Sequence, residues 1–487
     1  MRQPSEDRAL YYRQLRRTVQ NVFLPELTSA QAIDAAGLVD RILAEFIVEE
    51  ESAPALSAEF GGAFEELLQV DAGGVYPDIS PAQFHELREQ AAAAIARTAG
   101  SADPTERELG RRLVEVERDF LERVDELRCS VFADDLHAGD ESSSDGCSIT
   151  RDLLTEYLRG RLVHSPGVTV EGLSVVPGGR SKETILVSLS GTGELPDEVI
   201  LRKDRPVALL QTQAADEFAV IKAVHDFGGV PVPEPYFAER EGHSLGEGTF
   251  LVMERVRGAK AGEFFPDLRA PADHQLDIGQ QLAASLARLH SLPLDRLSRS
   301  NLDVHGAAVT EDSVIAMVEA IVGRIGELTG PSCGAVYAAR QWLHEHVSDV
   351  VPASRLCLLQ GDFGFHNMLV DGAHVTALVD WEGAAIGPPA RELAAAWGVA
   401  NALMPWPAFA QAYVHAGGQT EDTDPRAIGY YRVLLALGGY MTSRMGGHLF
   451  RTGTKRDLLT AHSGLDSHFR CARNLARALS DADSWER

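Results

Sequence analysis

Residues 358–394 read LLQGDFGFHNMLVDGAHVTALVDWEGAAIGPPARELA, and the spacing inside this stretch decides the fold. Asp362 and Asn367 stand five apart, and Asp380 follows thirteen later. Between the last two lie an apolar run at Met368–Val370, an Asp371-Gly372 turn and a second run at His374–Val379. Asp-Gly between two such runs is a hairpin signal, and a hairpin of that length brings the chain back to its start. Asn367 and Asp380 therefore end side by side. Two adjacent oxygen ligands at the mouth of a hairpin suit Mg²⁺, which takes few protein ligands and completes its shell with phosphate oxygens and water. Asp362 faces the same cleft from just before the hairpin. Each of the three alone is an ordinary polar turn residue; the ordered trio is a constellation.

The chain changes character on either side. Upstream, Val168–Val176, Thr184–Ser190 and Glu198–Lys203 read as strands joined by Gly-rich turns. A helix over about 214–227 and an apolar strand at Phe250–Glu254 follow. From Asp277 onward a helical period dominates, the hairpin excepted. A strand-rich lobe followed by a larger helical one is an α+β arrangement with a cleft between. The first 130 residues are helical: Leu109, Leu113, Val116, Phe120, Val124 and Leu127 form one apolar stripe, and Ser80-Pro81 supplies an N-cap and first turn. A further amphipathic helix spans about 29–50. No chemistry-bearing pattern occurs there, which suits an accessory or oligomerisation bundle. The division is a helical accessory domain (1–136), an acidic Gly/Ser linker (137–149), a small lobe (150–258) and a large helical lobe with the hairpin (259–487).

The ordered Asp, Asn and Asp follow the logic of a protein-kinase catalytic loop. The segment resembles the aminoglycoside phosphotransferase family, whose motif runs H-G-D-x-x-x-x-N and then an Asp-aromatic-Glu or Asp-x-Asp strand end. The nearest branch is the kinase-like domains associated with acyl-CoA dehydrogenases, with H-G-D-Y-x-x-x-N and D-W-E-x-x-x-x-G-D-P-x-x-D-L-A. Asp362, Asn367, Asp380, Trp381, Glu382 and Gly387 fit; Gln360 replaces the motif His, Pro388 an Asp, and Glu392 the later Asp. The resemblance covers about residues 150–480 and implies a bilobal protein-kinase-like fold preceded by an all-α N-terminal domain. It implies an ATP- and Mg²⁺-dependent small-molecule kinase in which Asp362 is the catalytic base and Asn367 and Asp380 hold the metal. Gly178, Gly179, Ser181 and Thr184 match the family's G-G-x-S-x-x-T turn over the ATP phosphates, with Lys182 in place of a frequent Asn. Arg202 takes the place of the kinase strand lysine; Lys203, on the other strand face, is the runner-up. Glu217 is placed to pair with Arg202, and the backbone around Met253, Glu254 and Val256 to meet adenine. Gln360, His366 and Glu382 are further candidates; His366 reads equally well as a hydrogen-bonded loop histidine. Arg391 and Glu392 read as a structural charged pair, and His290 as a capping or packing group.

Composition bounds the partners. With 45 Lys and Arg against 71 Asp and Glu, the net charge is 45 − 71 = −26, which disfavours a general nucleic-acid or anionic-membrane binder. The first 150 residues hold 14 bases and 30 acids, 14 − 30 = −16 of that total. Lysine is scarce: Lys182, Lys203, Lys222, Lys260 and Lys455 are all there are. The five cysteines are dispersed, without a C-x-x-C pair, which suits reduced thiols rather than disulfides or zinc. No signal peptide and no run of about 18 apolar residues is present, so a cytoplasmic protein is expected. The expected partner is a hydroxylated small molecule (a metabolite, a hydroxyacyl-CoA, or an antibiotic or natural product), and the N-terminal helices offer a route to a homodimer. No A-P-E arrangement follows Asp380, which disfavours a protein acceptor. The alternative is a catalytically weak nucleotide-binding module that recruits partners through its N-terminal domain, with Gln360 as its support.

Overall fold

The computed structural model describes residues 4–27, 30–69, 81–132, 149–176, 182–205, 212–240, 245–246, 248–262, 270–297, 303–304, 309–328, 333–350, 355–454 and 458–485. Helices α1 (Pro4–Thr18), α2 (Ala30–Leu68), α3 (Pro81–Thr98) and α4 (Pro104–Phe132) pack on one another. On α4, Leu113, Phe120 and Val124 are buried, while Leu109, Val116 and Leu127 pack half-buried beside them, as the stripe predicts. The second helix outruns its expected end: it continues through Pro54 and buries Phe64 and Leu67 against its neighbours. Buried ion pairs join Arg16 to Asp40 and Arg128 to Glu45. Of the predicted linker, residues 137–148 lie outside the described residues.

After α5 (Arg151–Arg161) come β1 (Thr169–Val176), β2 (Lys182–Ser190), β3 (Glu198–Asp204), α6 (Ala214–Phe227), β4 (Pro235–Glu239) and β5 (Phe250–Glu254). The strands form one antiparallel sheet in the order β1-β2-β3-β5-β4. Strand alternation sorts β3. Val199 and Leu201 join Leu154 and Leu158 of α5 in one core cluster, and Ile200 packs against the other. Arg202 thus shares its face with Ile200, and Lys203 points to the α5 side.

Past β5 the chain enters the large lobe through β6 (Ala259–Lys260), α7 (Ala272–His290), β7 (Asp303–Val304), α8 (Glu311–Glu327) and α9 (Ala335–Glu345). Next are β8 (Cys357–Leu359), β9 (Met368–Asp371), β10 (His374–Leu378) and β11 (Ala385–Gly387). The lobe ends with α10 (Pro389–Leu403), α11 (Trp406–His415), α12 (Pro425–Thr452) and α13 (Leu458–Trp485). Hairpin β9–β10 forms as its turn predicts, pairing Asp371 with His374 and Met368 with Leu378. The quoted segment nevertheless straddles two sheets. The hairpin pairs with β6, whereas β8 pairs with β11, and β11 with β7. The loop between β8 and β9 is therefore pinned at both ends by different sheets.

The N-terminal bundle packs on the large lobe, through α4 and α2 against α13 and through α3 and α4 against α9. Its buried Leu113, Phe120 and Leu121 belong to the same continuous core as Leu282, Leu393 and Tyr430. His290 packs as expected, buried with Nδ1 2.9 Å from the Tyr413 hydroxyl. Among the described residues no helix is long and apolar enough to cross a membrane.

Candidate active site

The loop between β8 and β9 carries Asp362, half exposed, with its Oδ2 accepting from Asn367 Nδ2 at 2.9 Å. The same amide donates to the Asp362 backbone carbonyl at 3.0 Å, and His366 Nε2 lies 3.1 Å from Oδ2. His366 is thus a loop histidine in contact with Asp362. Across the hairpin, the Val379 N–H donates to the Asn367 carbonyl at 2.9 Å, which places Asp380 next to Asn367. Asp380 has φ +61°, a left-handed conformation that is uncommon for a residue other than glycine and typical of functional sites.

Gln360 is what holds this geometry. It is buried; its Nε2 donates to the Asp380 carbonyl at 2.7 Å and to the Val379 carbonyl at 3.2 Å, while its Oε1 accepts from the Asp362 N–H at 2.9 Å. Gly361, at φ +89°, passes so close to the next turn that a Cβ would stand 1.9 Å from the Gly383 carbonyl. Beneath it, buried Glu392 accepts from the Gln360 N–H at 2.5 Å and from the Gly361 N–H at 3.4 Å. Burial pushes its carboxyl up to about 7, against the backbone donors that favour the charged form. Glu392 is therefore an anchor of the loop rather than half of a charged pair with Arg391.

From the small lobe, Arg202 donates Nη1 to Glu217 Oε1 at 2.7 Å and Nη2 to Asp380 Oδ1 at 3.0 Å. Glu217 Oε1 also accepts the Trp381 N–H at 3.1 Å, so α6 is tied to both lobes. Burial, opposed by Arg202, raises the Glu217 carboxyl to about 7, with Asp380 and Glu382 adding to the rise. Burial disfavours the Arg202 guanidinium, but Glu217 and Asp380 outweigh it and hold its proton affinity up. Lys182 reaches Glu382 Oε2 at 3.6 Å. Lys203 lies on the opposite strand face from Arg202 and is not brought into this group. Gly178, Gly179 and Ser181 lie outside the described residues.

At the junction of the lobes, Met253 is buried between Ile200 and Pro235. The Glu254 N–H donates to the Glu234 carbonyl at 2.8 Å, and its side chain accepts from the Glu234 N–H. Among the described residues the Val256 backbone makes no hydrogen bond to another backbone group.

A small antiparallel sheet flanked by α5 and α6, a helical lobe, and an Arg–Glu pair facing an Asp–Asn–Asp trio define a bilobal kinase-type phosphotransferase. Residues 172–430 match the model of the phosphotransferase enzyme family, and the chain belongs to that family. In fold it is similar to a Ralstonia eutropha protein described as an aminoglycoside phosphotransferase, at TM-score 0.52 and 16% identity over 68% of this chain and 99% of that one. A macrolide 2′-phosphotransferase from Brachybacterium faecium is a more distant likeness, at TM-score 0.44 and 19% identity over 64% and 97% of the two chains.

Proposed function

We propose that the chain transfers the γ-phosphate of ATP to a hydroxyl group of a small molecule, with Asp362 as the base. The observation that carries this reading is the convergence of Asp362, Asn367 and Asp380 with Arg202 and Glu217 at one cleft. Asp362, oriented by Asn367 and His366, aligns the acceptor hydroxyl and takes its proton as the oxygen attacks the γ-phosphorus in line. Arg202, fixed by Glu217, presents positive charge to the phosphates. Val256 and the backbone around Met253 and Glu254 are assigned to adenine, and Gly178, Gly179 and Ser181 keep their motif-based assignment to the phosphates.

Asn367 and Asp380 offer an amide and a carboxylate oxygen, a hard donor set that fits Mg²⁺. They would hold the ion, which when bound neutralises charge on the phosphate oxygens. Gln360 makes the loop contacts needed for transfer, which favours catalysis over nucleotide binding alone. The acceptor class stays broad: a hydroxylated metabolite, a hydroxyacyl-CoA, or an antibiotic or natural product.

Residues 1–136 are assigned as a helical accessory domain, 137–149 as a linker, and 150–258 and 259–487 as the two lobes. Dimerisation is assigned to the N-terminal helices, supported by the exposed Tyr11, Leu15, Val22 and Phe23; light scattering tests it.

The deciding experiment is ³¹P detection of transfer across a hydroxyl panel, with Asp362→Asn in parallel. Asp362→Asn is expected to bind ADP like the wild type and lose turnover by about 10²-fold or more. Full turnover by that variant would remove Asp362 from its role.

A further inference from the structure

We infer that Lys182 is a second phosphate-contacting cation of this site; the inference rests on the ATP-dependent reading above. The β2–β3 register opposes Lys182 to Asp204, Glu183 to Lys203 and Thr184 to Arg202. Alternation then puts Lys182 and Arg202 on one face of the sheet and Lys203 on the other. Of the two lysines on β2 and β3, the one on the cleft face is therefore the one that opens β2, directly after the Gly178–Ser181 motif.

The Lys182 side chain is 1% exposed. Its Nζ donates to the Thr212 carbonyl, lies 3.1 Å from Thr212 Oγ1, and stands 3.3 Å from Asp204 Oδ1. A buried ammonium requires anionic compensation. Asp204 gives only part of it, because its carboxylate already accepts the Ala214 N–H at 2.9 Å, the Thr249 N–H at 2.9 Å and the Thr249 hydroxyl at 2.7 Å. The other anion is Glu382, two residues past Asp380, at 3.6 Å and so beyond hydrogen-bond reach.

Among the described residues these two cations are thus held differently. Arg202 is locked by both Nη atoms to Glu217 and Asp380. Lys182 faces the large lobe through a long charge contact, and its compact ammonium on a four-carbon stem can redirect its donors. Charge points the same way. Lys182 and Arg202 oppose Asp204, Glu217, Asp380 and Glu382, a sum of 2 − 4 = −2. Without Lys182 that sum would be 1 − 4 = −3 in front of an incoming polyphosphate. With arginine at the strand position where kinases carry lysine, Lys182 supplies the missing lysine-type charge from the neighbouring strand.

The test is calorimetric titration of AMP-PNP, ADP and adenosine into the full chain with Mg²⁺. Lys182→Gln keeps a donor for Thr212 and removes the charge; it is expected to weaken AMP-PNP and ADP by about tenfold or more and to leave adenosine within about twofold. Lys182→Arg is expected to stay within about threefold of wild type for all three. Equal weakening of adenosine, or unchanged affinity for the phosphorylated ligands, overturns the inference. Should Lys182→Gln not fold, the charge-balanced pair Lys182→Met with Glu382→Gln decides. A phosphate contact leaves that variant weak for AMP-PNP, whereas recovery of wild-type affinity would show that Lys182 only neutralises Glu382. If the wild type binds adenosine and no phosphorylated nucleotide, the inference falls; if it binds none of the three, the ATP reading falls with it.

Discussion

The side-chain amide of Gln360 donates to the main-chain carbonyl of Asp380 at 2.7 Å, joining the loop that carries the proposed base to the residue proposed for the metal. The same side chain accepts the Asp362 N–H, so one buried glutamine fixes both ends of the chemistry. Gln360→Ala would leave a buried N–H and two carbonyls without that partner, at about 1–3 kcal/mol per unsatisfied group. The expected result is a fall in kcat of tenfold or more, with a smaller change in KM for ATP and a lower urea midpoint. Gln360→His should keep most activity, since an imidazole can still donate toward the Asp380 carbonyl. An unchanged kcat in Gln360→Ala would show that the loop is positioned by other means.

Glu217 is the hinge of a second relationship, accepting from Arg202 and from the Trp381 N–H with one oxygen. Glu217→Ala would strand a buried guanidinium with one remaining carboxylate, and removal of one partner from a buried pair costs about 3–5 kcal/mol. Glu217→Gln keeps an acceptor for both donors and should cost markedly less. Chemical denaturation of the two variants checks the order; equal losses would show that volume, not pairing, sets the cost.

How much of this was legible beforehand depended on how local each signal was. The hairpin between Asn367 and Asp380 is encoded by its Asp371-Gly372 turn and its alternation, and it forms as read. The Arg202–Glu217 pair was readable because both residues sit at fixed offsets from a strand and a helix start. Glu392 was not, because its partners are backbone groups of Gln360 and Gly361, and a sequence does not display which main-chain N–H groups a fold leaves unpaired. Lys182 was visible as an oddity of composition, but its contact with Glu382 spans 200 residues and two lobes. The bundle's helices were periodic and easily read. Their fusion to the core of the large lobe was not, since an amphipathic stripe does not name the surface that will cover it.

His290 gives a prediction about pH. Burial, and then the positive Arg355, lower its pKa to about 3 from an ordinary 6.5. Between those values the native state binds fewer protons than the unfolded chain, so this group's stabilisation is complete above 6.5 and is lost as pH falls toward 3. The groups facing it are Tyr413, whose hydroxyl also donates to Asp422, and Arg355, which donates to the His290 carbonyl. Replacing His290 with Asn removes the titration. The stability advantage of wild type over His290→Asn should therefore shrink by up to ~1.4 kcal/mol per pH unit below 6.5 and stay level above it. His468, lowered to about 3 by burial and surrounding arginines, adds the same slope to both proteins and cancels in the difference. Urea midpoints from pH 4 to 8 measure this, and a pH-independent difference would refute it.

The junction between bundle and large lobe yields the last prediction. Glu117 of α4 is buried beside Arg88 of α3, 3.5 Å away, and faces the Gly334 and Ala335 N–H groups at the start of α9, which favour its charged form against burial. The bundle thus sets a carboxylate at the N-terminus of a helix of the lobe, a placement usually worth about 0.3–1 kcal/mol and more where it is buried. Gly334 fits because nothing projects from it: a Cβ there would stand 2.4 Å from Ile95 Cδ1, 2.9 Å from Glu117 Oε2 and 3.2 Å from Ala92 Cα. Ile95 can yield, but the backbone of α3 cannot without moving away from the lobe. Gly334→Ala should therefore cost about 1–3 kcal/mol as overpacking, and Glu117→Ala about 1 kcal/mol or more by removing the carboxylate from Arg88 and from the start of α9. Because the bundle and the lobe share one core, both variants should shift a single cooperative transition rather than detach an early one. Thermal unfolding followed separately by near-ultraviolet and far-ultraviolet circular dichroism distinguishes the cases. A wild-type transition in two resolved steps, with only the first moved by these substitutions, would show that residues 1–136 fold as an independent unit.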